Sequence, residues 1–388
     1  MPTTTVEKIK KPETSESKKD ELLLDSLEIT GYRCFEHLTI EKLGQVNLIV
    51  GKNNVGKTAL LEALWFYSRR GFSEFLLDNL YSRKEIKRSI GSSDDPIEIN
   101  ERLKLLKHLF FGRPEIDSEP SIKIGKLSND SSNLTVRLEL HEEAHLTYRD
   151  DRDRNKDKNI LRNGKFLFFV RYVLGEKFYS NPLNSYMNLI FNYESMSESD
   201  FIKCQFVQTK GNIHNSDEQL WDNIVLTTLE TELTEALKII QPNIQRIAFT
   251  GESLGGDGRV AFASFSNLSE RFSLSSLGEG MTRLLKISLA LTNSQNGILL
   301  IDEIESGLHY SVLPDVWKLI FKTAKDLNVQ VFATTHSKDC VEAFAQAAYD
   351  SPEDGMLIRL ERQGEKIIAK TIEEEMLVDA VNYEVEVR

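Results

Sequence analysis

The chain has 388 residues, 40% hydrophobic and 28% charged, so it is long and apolar enough to bury a core without disulfides. Its 48 basic and 60 acidic residues give a net charge of −12, which argues against general attraction to nucleic acid but leaves room for a local basic patch. Three cysteines (Cys34, Cys204 and Cys340) lack metal-ligand spacing, and no apolar run approaches the roughly 20 residues of a membrane helix. We therefore expect a cytoplasmic protein with reduced thiols and no membrane contact.

The N-terminal part predicts a strand, a glycine-containing loop and a helix, in that order. Residues 1–22 are polar and charged, and we expect a disordered tail there. LLLDSLEITGYRCF and HLTIEKLGQVNLIVG are rich in β-branched residues and predict strands that end at Gly51. KTALLEALWFYSRR follows with helical periodicity, its apolar stripe formed by Leu60, Leu61, Leu64 and Trp65.

The middle of the chain predicts charged helical pieces followed by antiparallel strands. The helical pieces include SRKEIKRSI and ERLKLLKHLFF, and the strands are SIKIGKL, LTVRLELH, AHLTYRD and FLFFVRYVL. The charged run Arg149–Asn159 lies between two of these strands, and its mixed signs favour a solvated hairpin loop over a DNA contact. DEQLWDNIVLTTLETELTEALKII predicts one long amphipathic helix that ends before Pro242.

The C-terminal part alternates strands with helices, which favours a parallel sheet. Predicted strands are RIAFTG, VAFASF, GILLIDE and NVQVFATTHS; predicted helices lie at about 280–293, about 311–326 and KDCVEAFAQAAY; LIRLERQGEKIIAKTI predicts a closing hairpin. We predict one mixed α/β domain over residues 23–388, with a parallel core and an antiparallel β-subdomain. Its core would cover about 23–70 and 245–388, and a helical and antiparallel β region would be inserted at about 71–244.

The segment Gly51–Thr58, GKNNVGKT, matches the phosphate-binding pattern G-x-x-x-x-G-K-[ST] in full. Its glycines allow backbone N–H groups to surround phosphate oxygens, and the helix that follows directs its positive dipole end at them. Lys57 would bind the β and γ phosphates, and the Thr58 hydroxyl would bind Mg²⁺. The residues predicted to contact ATP are Gly51, Asn53, Asn54, Val55, Gly56, Lys57, Thr58 and Ala59.

Two further segments place polar residues directly after buried strands. ILLIDE ends in Asp302, a candidate Mg²⁺ ligand, and Glu303, a candidate general base, although acids here can also be helix caps or turn residues. TTHS ends in His336 and Ser337; His336 could hydrogen-bond a γ phosphate, or it could be structural. A fourth segment, LSSLGEG, offers Ser276 and Gly278 at a helix start, where they could donate to a phosphate or serve as ordinary caps.

The order of these four segments resembles the ABC-type ATPase head and, more narrowly, the SMC-related and OLD-like branch. The segments that carry the resemblance are LEITGYRCFEHLTI, NLIVGKNNVGKTALLEAL, LSSLGEGMTRLLKISLAL, LLIDEIESGLHYSVLPDVW and LIRLERQG…EEEMLVDA, within about residues 25–70 and 215–388. The resemblance implies that Ser276 and Gly278 act on the nucleotide of a neighbouring copy. It therefore implies an ATP-dependent homodimer or a larger even assembly.

The same resemblance implies roles for several other residues. Ser306 and Gly307 would form the D-loop, Arg33 would contact the nucleotide, and Gln208 is the candidate for sensing Mg²⁺. The chain departs from the family pattern at three positions, which are Leu277 for the first signature glycine, Glu279 for the common glutamine and His309 for the aspartate that is usual in transporters.

The resemblance leaves two biological roles open. We expect neither a Toprim nuclease domain nor long coiled-coil arms. One role is a sensor or scaffold whose ATP state controls a separate effector protein in a prokaryotic antiphage defence or toxin system. The alternative is a DNA-repair or recombination ATPase that clamps DNA, supported by the basic stretches Lys84–Arg88 and Lys104–His108, which could equally be solvated helix faces.

Overall fold

The computed structural model describes residues 22–70, 106–114, 118–128, 132–142, 166–174, 177–182, 201–209, 217–251, 259–351 and 354–372. Some sequence predictions therefore lie outside the described residues: the tail up to residue 21, the pieces at 82–90 and 144–150, the run Arg149–Asn159, most of the loop at 251–259 and the segment after 372. Of Lys104–His108, only the last three residues are described.

A six-stranded, mainly parallel sheet forms the centre of the structure. Its strands are β3 (Val46–Val50), β8 (Cys204–Val207), β12 (Ile298–Ile301), β13 (Gln330–Thr334), β14 (Gly355–Gln363) and β15 (Lys366–Ile372). Their order is β15-β14-β3-β13-β12-β8, and only the β14–β15 hairpin is antiparallel. Every residue of β3, β12 and β13 is buried, which explains why these strands are almost uninterrupted apolar runs in the sequence.

Beside the parallel sheet lies a six-stranded antiparallel sheet with the order β2-β1-β4-β5-β6-β7. Its strands are β1 (Leu27–Tyr32), β2 (Phe35–Ile40), β4 (Ser121–Gly125), β5 (Leu134–Glu142), β6 (Phe166–Leu174) and β7 (Lys177–Pro182). The predicted combination of a parallel core with an antiparallel sheet is confirmed. Strands from the region 71–244 belong to both sheets: β4 pairs with β1 in the antiparallel sheet, and β8 pairs with β12 in the parallel sheet.

Helix α1 (Lys57–Ser68) packs in the hydrophobic core that the two sheets share. The predicted stripe is buried, but so is nearly every other residue, since eleven of the twelve are buried. A helix covered on all sides cannot show a clear amphipathic pattern. The core on this face contains Leu300 of β12, whereas its neighbours Leu299 and Ile301 belong to the core on the opposite face.

The opposite face of the parallel sheet is covered by helices and by a small antiparallel sheet with the order β11-β10-β9. These elements are α2 (Asp217–Asp222), α3 (Thr228–Leu237), β9 (Ile244–Thr250), β10 (Val260–Phe265), β11 (Phe272–Ser273), α4 (Glu279–Thr292), α5 (Leu313–Asp326) and α6 (Lys338–Tyr349). Helices α4, α5 and α6 confirm the helices predicted in this part of the chain. None of the helices in the described ranges combines the length and apolar character needed to cross a bilayer.

The single long helix predicted from residue 217 onward is wrong, because the chain forms two helices there. Leu226 adopts a left-handed backbone with φ of 64°, which breaks the helical path. Thr227 then caps α3, its side-chain oxygen accepting a hydrogen bond from the Leu229 amide at 3.2 Å. A threonine that bonds to nearby backbone favours a new helix start over continuation of the old helix.

Candidate active site

The loop Gly51–Thr58 joins β3 to α1, as the sequence predicts, and its backbone requires glycine at two positions. Gly51 has φ of 141°, and a Cβ atom there would lie 2.4 Å from the Leu360 carbonyl oxygen. Gly56 has φ of 93°, and a Cβ atom there would lie 2.7 Å from the Cys34 sulfur. Both conformations favour glycine, so the loop can leave its amides open to phosphate oxygens.

The other predicted ATP contacts divide into exposed and buried positions. Asn53 and Asn54 are exposed, and Asn54 has a left-handed backbone with φ of 63°. Val55 and Ala59 are buried and anchor the loop and the first turn of α1 in the core. Their side chains have no polar atoms, so the predicted contact with phosphate would come from their backbone amides.

The Lys57 side chain is buried inside the loop. Its Nζ donates to the carbonyl oxygens of Gly51 at 2.6 Å and Lys52 at 3.1 Å. Burial lowers the pKa of Lys57, and the opposing attraction comes from Asp302, Glu303 and Glu305. The ammonium group is thus held by loop carbonyls and lies near the acids that follow β12, where a phosphate group would compete for it.

Thr58 and Asp302 form an oxygen pair suited to Mg²⁺. The Thr58 hydroxyl lies 3.2 Å from Oδ1 and 3.3 Å from Oδ2 of Asp302. An octahedral Mg²⁺ with ligands at about 2.1 Å places neighbouring oxygens about 3.0 Å apart, so the observed pair fits the ion. The strand order explains this proximity, because β3 and β12 flank β13 and all three end at the same edge of the sheet.

Thr334, the last residue of β13, holds both predicted acids. Its hydroxyl donates to Asp302 Oδ1 at 2.7 Å and accepts from the Glu303 amide at 2.8 Å. Thr334 is fully buried, so water cannot replace these bonds on its side. Sequence analysis included it in the segment TTHS but gave it no role, although its place at the end of a buried strand was a usable signal.

Glu303 and His336 face each other at the open side of the cluster. His336 Nε2 lies 3.8 Å from Glu303 Oε1, and the two side chains are 40% and 42% exposed. This distance is too long for a direct hydrogen bond, but a water or a phosphate oxygen beside the pair is within hydrogen-bonding reach of both groups. The structure therefore brings the two predicted catalytic residues together.

Glu305 is a third carboxylate of the cluster, and sequence reasoning did not single it out. Its Oε1 accepts a hydrogen bond from the His336 backbone amide at 2.8 Å. Its Oε2 is buried and lacks a hydrogen-bond partner among the described residues. Glu305 thereby connects the loop after β12 to the loop after β13, and its position in the DEIE sequence could have drawn attention to it.

Arg283 of α4 is a second residue that the sequence did not reveal. It is 7% exposed, and its guanidinium donates to the carbonyl oxygens of Gln208 at 2.9 Å, Asp302 at 2.6 Å and Glu303 at 3.0 Å. Burial lowers the pKa of Arg283, and nearby Asp302, Glu305 and Glu303 oppose the shift. An arginine inside an apolar helical stripe carries no signal of which carbonyls it will bind.

The Ser276 and Gly278 loop is exposed and precedes α4 directly. The Ser276 hydroxyl donates to the Ser273 carbonyl oxygen at 2.6 Å, so its hydrogen bond stays within the loop. Gly278 has φ of 102°, and apart from its chain neighbours no atom of the described residues lies within 4 Å of the position that a Cβ would occupy. The loop is therefore open for contact from outside this chain.

The D-loop candidates lie between this loop and the acids. The Ser306 amide donates to the Glu303 carbonyl oxygen at 2.9 Å. Gly307 approaches the first turn of α4, since a Cβ on Gly280 would lie 2.8 Å from the Gly307 carbonyl oxygen. His309 caps the short 3-10 helix Tyr310–Val312 by accepting from the Ser311 amide.

Arg33 and Gln208 have positions near the site, and their predicted roles stay predictions. Arg33 has φ of 50°, and its Nε lies 3.1 Å from Glu62 Oε2 of α1, with side chains that are 8% and 4% exposed. Its neighbour Cys34 contacts the loop at Gly56. Gln208 follows β8 at the same sheet edge and has its carbonyl bound by Arg283.

Comparison with known proteins identifies the family. The AAA ATPase domain family matches residues 23–341. An ATP/GTP phosphatase of Helicobacter pylori is 26% identical over 356 residues, covering 84% of this chain and 88% of that protein. The DNA replication and repair protein RecF of Clostridioides difficile is 25% identical over 367 residues, covering 80% of this chain and 91% of RecF. A crystal structure of an SMC head bound to the C-winged helix domain of ScpA is 14% identical, covers 92% of this chain and 99% of that chain, and has a TM-score of 0.48.

The family match extends over most of the chain and includes the phosphate-binding loop, the acids after β12 and His336. It agrees with the chemistry of the cluster, in which a phosphate loop, an oxygen pair for Mg²⁺ and a candidate base share one edge of the sheet. The chain therefore belongs to the AAA ATPase domain family and is, at the level of that family, an ATPase.

Proposed function

We propose that two copies of this chain close face to face and hydrolyse ATP between them. Each nucleotide would lie between the Gly51–Thr58 loop of one copy and the Ser276–Gly278 loop of the other. The exposure of the second loop carries this proposal, because Ser276 and Gly278 lie at the surface while the remaining site residues are assembled within one chain. A half-site that is open on one side needs a second surface to exclude water from the reaction.

Within each half, the residues divide the chemistry. Loop amides and Lys57 bind the phosphates, while Thr58 and Asp302 would hold Mg²⁺, which neutralises charge on the phosphate oxygens when bound. The Glu303 carboxylate accepts a proton from a water molecule whose oxygen forms a bond to the γ phosphorus. The bond between that phosphorus and the bridging oxygen breaks, and ADP and phosphate leave. His336, which lies beside Glu303, hydrogen-bonds an oxygen of the γ phosphate.

The variant Glu303→Gln tests this proposal. It preserves shape but removes the base, so we expect ATP binding with hydrolysis reduced by about 10² to 10⁴ fold. Because slow hydrolysis leaves ATP in the closed pair, the pair should accumulate. In size-exclusion chromatography with light scattering, the variant should then elute with ATP at twice the mass of one chain.

A matched control adds Ser276→Arg to the same variant. Ser276 is exposed and outside the nucleotide half-site of its own chain, so this double variant should bind ATP but remain a single copy. If Glu303→Gln binds ATP and still elutes as one copy, the paired arrangement is wrong. If the double variant pairs as well as the single variant, the Ser276 loop is not the contact surface.

For the biological role, we propose a sensor or scaffold whose paired state controls a separate effector protein in an antiphage defence or toxin system. The support is the family resemblance together with the net charge of −12, which disfavours a general nucleic-acid binder. The expected observation is ATP-dependent co-purification of Glu303→Gln with one partner protein, lost in the Ser276→Arg double variant.

The second candidate is a DNA clamp, favoured by the similarity to RecF, which is named for DNA replication and repair. A clamp would bind DNA only in the ATP-paired state, and its affinity would fall steeply with salt because counterions are released from the phosphates. Titration of labelled duplex DNA with Glu303→Gln at 50 and 200 mM salt, with and without ATP, separates the two roles.

A further inference from the structure

The buried Arg283 joins the helix behind the Ser276–Gly278 loop to the backbone of the catalytic acids. Its guanidinium bridges three carbonyl oxygens, two of them belonging to Asp302 and Glu303. A planar guanidinium can hold several acceptors in one fixed geometry, which a flexible ammonium group cannot match. The contact therefore fixes the position of the acids' backbone relative to α4.

The backbone of Glu303 shows why such a contact matters. Its φ of 49° lies in the left-handed region, which is unfavourable for a glutamate and persists only when surrounding contacts enforce it. Three hydrogen bonds hold it here. The amide donates to Thr334 Oγ1 at 2.8 Å, and the carbonyl oxygen accepts from Arg283 at 3.0 Å and from the Ser306 amide at 2.9 Å.

A second contact connects the same two segments. The first turn of α4 packs so closely on the loop after β12 that a Cβ on Gly280 would lie 2.8 Å from the Gly307 carbonyl oxygen. The α4 N-terminus and the loop that carries Glu303 are therefore packed without free space between Gly280 and Gly307. The exposed Ser276–Gly278 loop lies directly before this N-terminus.

We propose that Arg283 is a positioning residue that couples the two ATP sites of the closed pair. This inference rests on the proposed pairing, in which the Ser276–Gly278 loop contacts the partner's nucleotide. Engagement of that loop moves α4, and Arg283 shifts the backbone of Glu303 in the chain's own site. Occupation of one site thereby sets the geometry of the base in the other, which makes hydrolysis cooperative in ATP.

Steady-state hydrolysis as a function of ATP concentration tests the coupling, with Arg283→Gln as the variant and Lys286→Gln as the control. Lys286 lies on the same helix, is only partly buried and loses the same charge on substitution. We expect a Hill coefficient approaching two for the wild type and the control, and close to one for Arg283→Gln. The variant should also lose about 100-fold in kcat, while its affinity for a fluorescent ATP analogue changes less than about threefold.

A purely structural role would lower the yield and the affinity together and would leave the Hill coefficient unchanged. Arg283→Lys extends the test should Arg283→Gln fail to fold, because it keeps the buried charge but cannot bridge three carbonyls; we expect an intermediate kcat and a reduced Hill coefficient. Wild-type cooperativity in the Arg283 variants that fold would overturn the inference. Failure of Glu303→Gln to pair is a separate readout that does not involve Arg283, and it would overturn the coupling together with the pairing.

Discussion

Replacing Thr334 by valine tests how Asp302 and Glu303, the candidate metal ligand and base, are held. Valine has nearly the shape of threonine, so the substitution removes the hydroxyl without opening a cavity. Two hydrogen bonds disappear, one of 2.7 Å to Asp302 and one of 2.8 Å from the Glu303 amide. The hydroxyl is fully buried in β13, so no water takes its place on that side.

The size of the effect follows from the two bonds. A hydrogen bond to a charged group contributes about 1.5–3 kcal/mol, and an amide left without a partner costs about 1–3 kcal/mol. Asp302 and Glu303 are partly exposed, so water recovers some of this loss on their side. We expect the free energy of unfolding of Thr334→Val to fall by about 2–3 kcal/mol. We also expect kcat to fall by about 100-fold, because Glu303 loses the one hydrogen bond of its backbone amide among the three that hold its left-handed backbone.

The assay combines urea denaturation with ATP hydrolysis, and Thr334→Ser is the matched control. Serine keeps the hydroxyl and loses one methyl group, so it should lose only about 1 kcal/mol of stability and little activity. Equal damage in the serine and valine variants would show that packing of the methyl group matters and the hydroxyl does not. Wild-type kcat in Thr334→Val would refute the view that this hydroxyl positions the acids.

Further predictions concern Glu305 of the cluster and two buried thiols elsewhere in the fold. Glu305→Ala should lower kcat by about tenfold, because the hydrogen bond from the His336 amide is lost. Glu305→Gln keeps an acceptor oxygen and should recover most of the activity in the same hydrolysis assay. Equal loss of activity in both variants would exclude this hydrogen bond as the cause. Burial raises the pKa of Cys204 and of Cys340 from 9.0 to about 12, so iodoacetamide at pH 8 should modify both thiols in urea but neither in the folded protein. Between these pH values the folded protein keeps the thiol protons that the unfolded chain releases. The contribution of the thiols to stability is therefore complete below about pH 9 and is lost as the pH rises towards about 12. Urea midpoints that do not fall over this range would contradict the raised thiol pKa values.

The sequence by itself determined the parts of the site that are continuous in the chain. The glycines, the lysine and the start of the helix all lie within the eight residues Gly51–Thr58, so the local sequence sets the geometry of the loop. ILLIDE likewise combines a buried strand with the acids at its end. The parallel core and the antiparallel sheet were also predictable, because strand periodicity and strand–helix alternation are local patterns.

Prediction from local sequence patterns failed where the structure of a segment depends on what it packs against. The stripe predicted for α1 understated its burial, because the sheets that cover its other sides come from distant parts of the chain. The helix break at Leu226 and Thr227 was missed. The free-energy difference between a side-chain cap and a continued helix is small, and apolar periodicity does not report it.

Only the tertiary structure decided which groups hold the acids in place. Thr334 reaches Asp302 because β13 lies between β3 and β12 in the sheet, an order that no single strand encodes. Arg283 binds carbonyl oxygens 19, 20 and 75 residues away, and backbone carbonyls are present at every position of the chain. Residue types can therefore identify the groups that react, whereas the hydrogen bonds that orient them arise from the packing of segments distant in sequence.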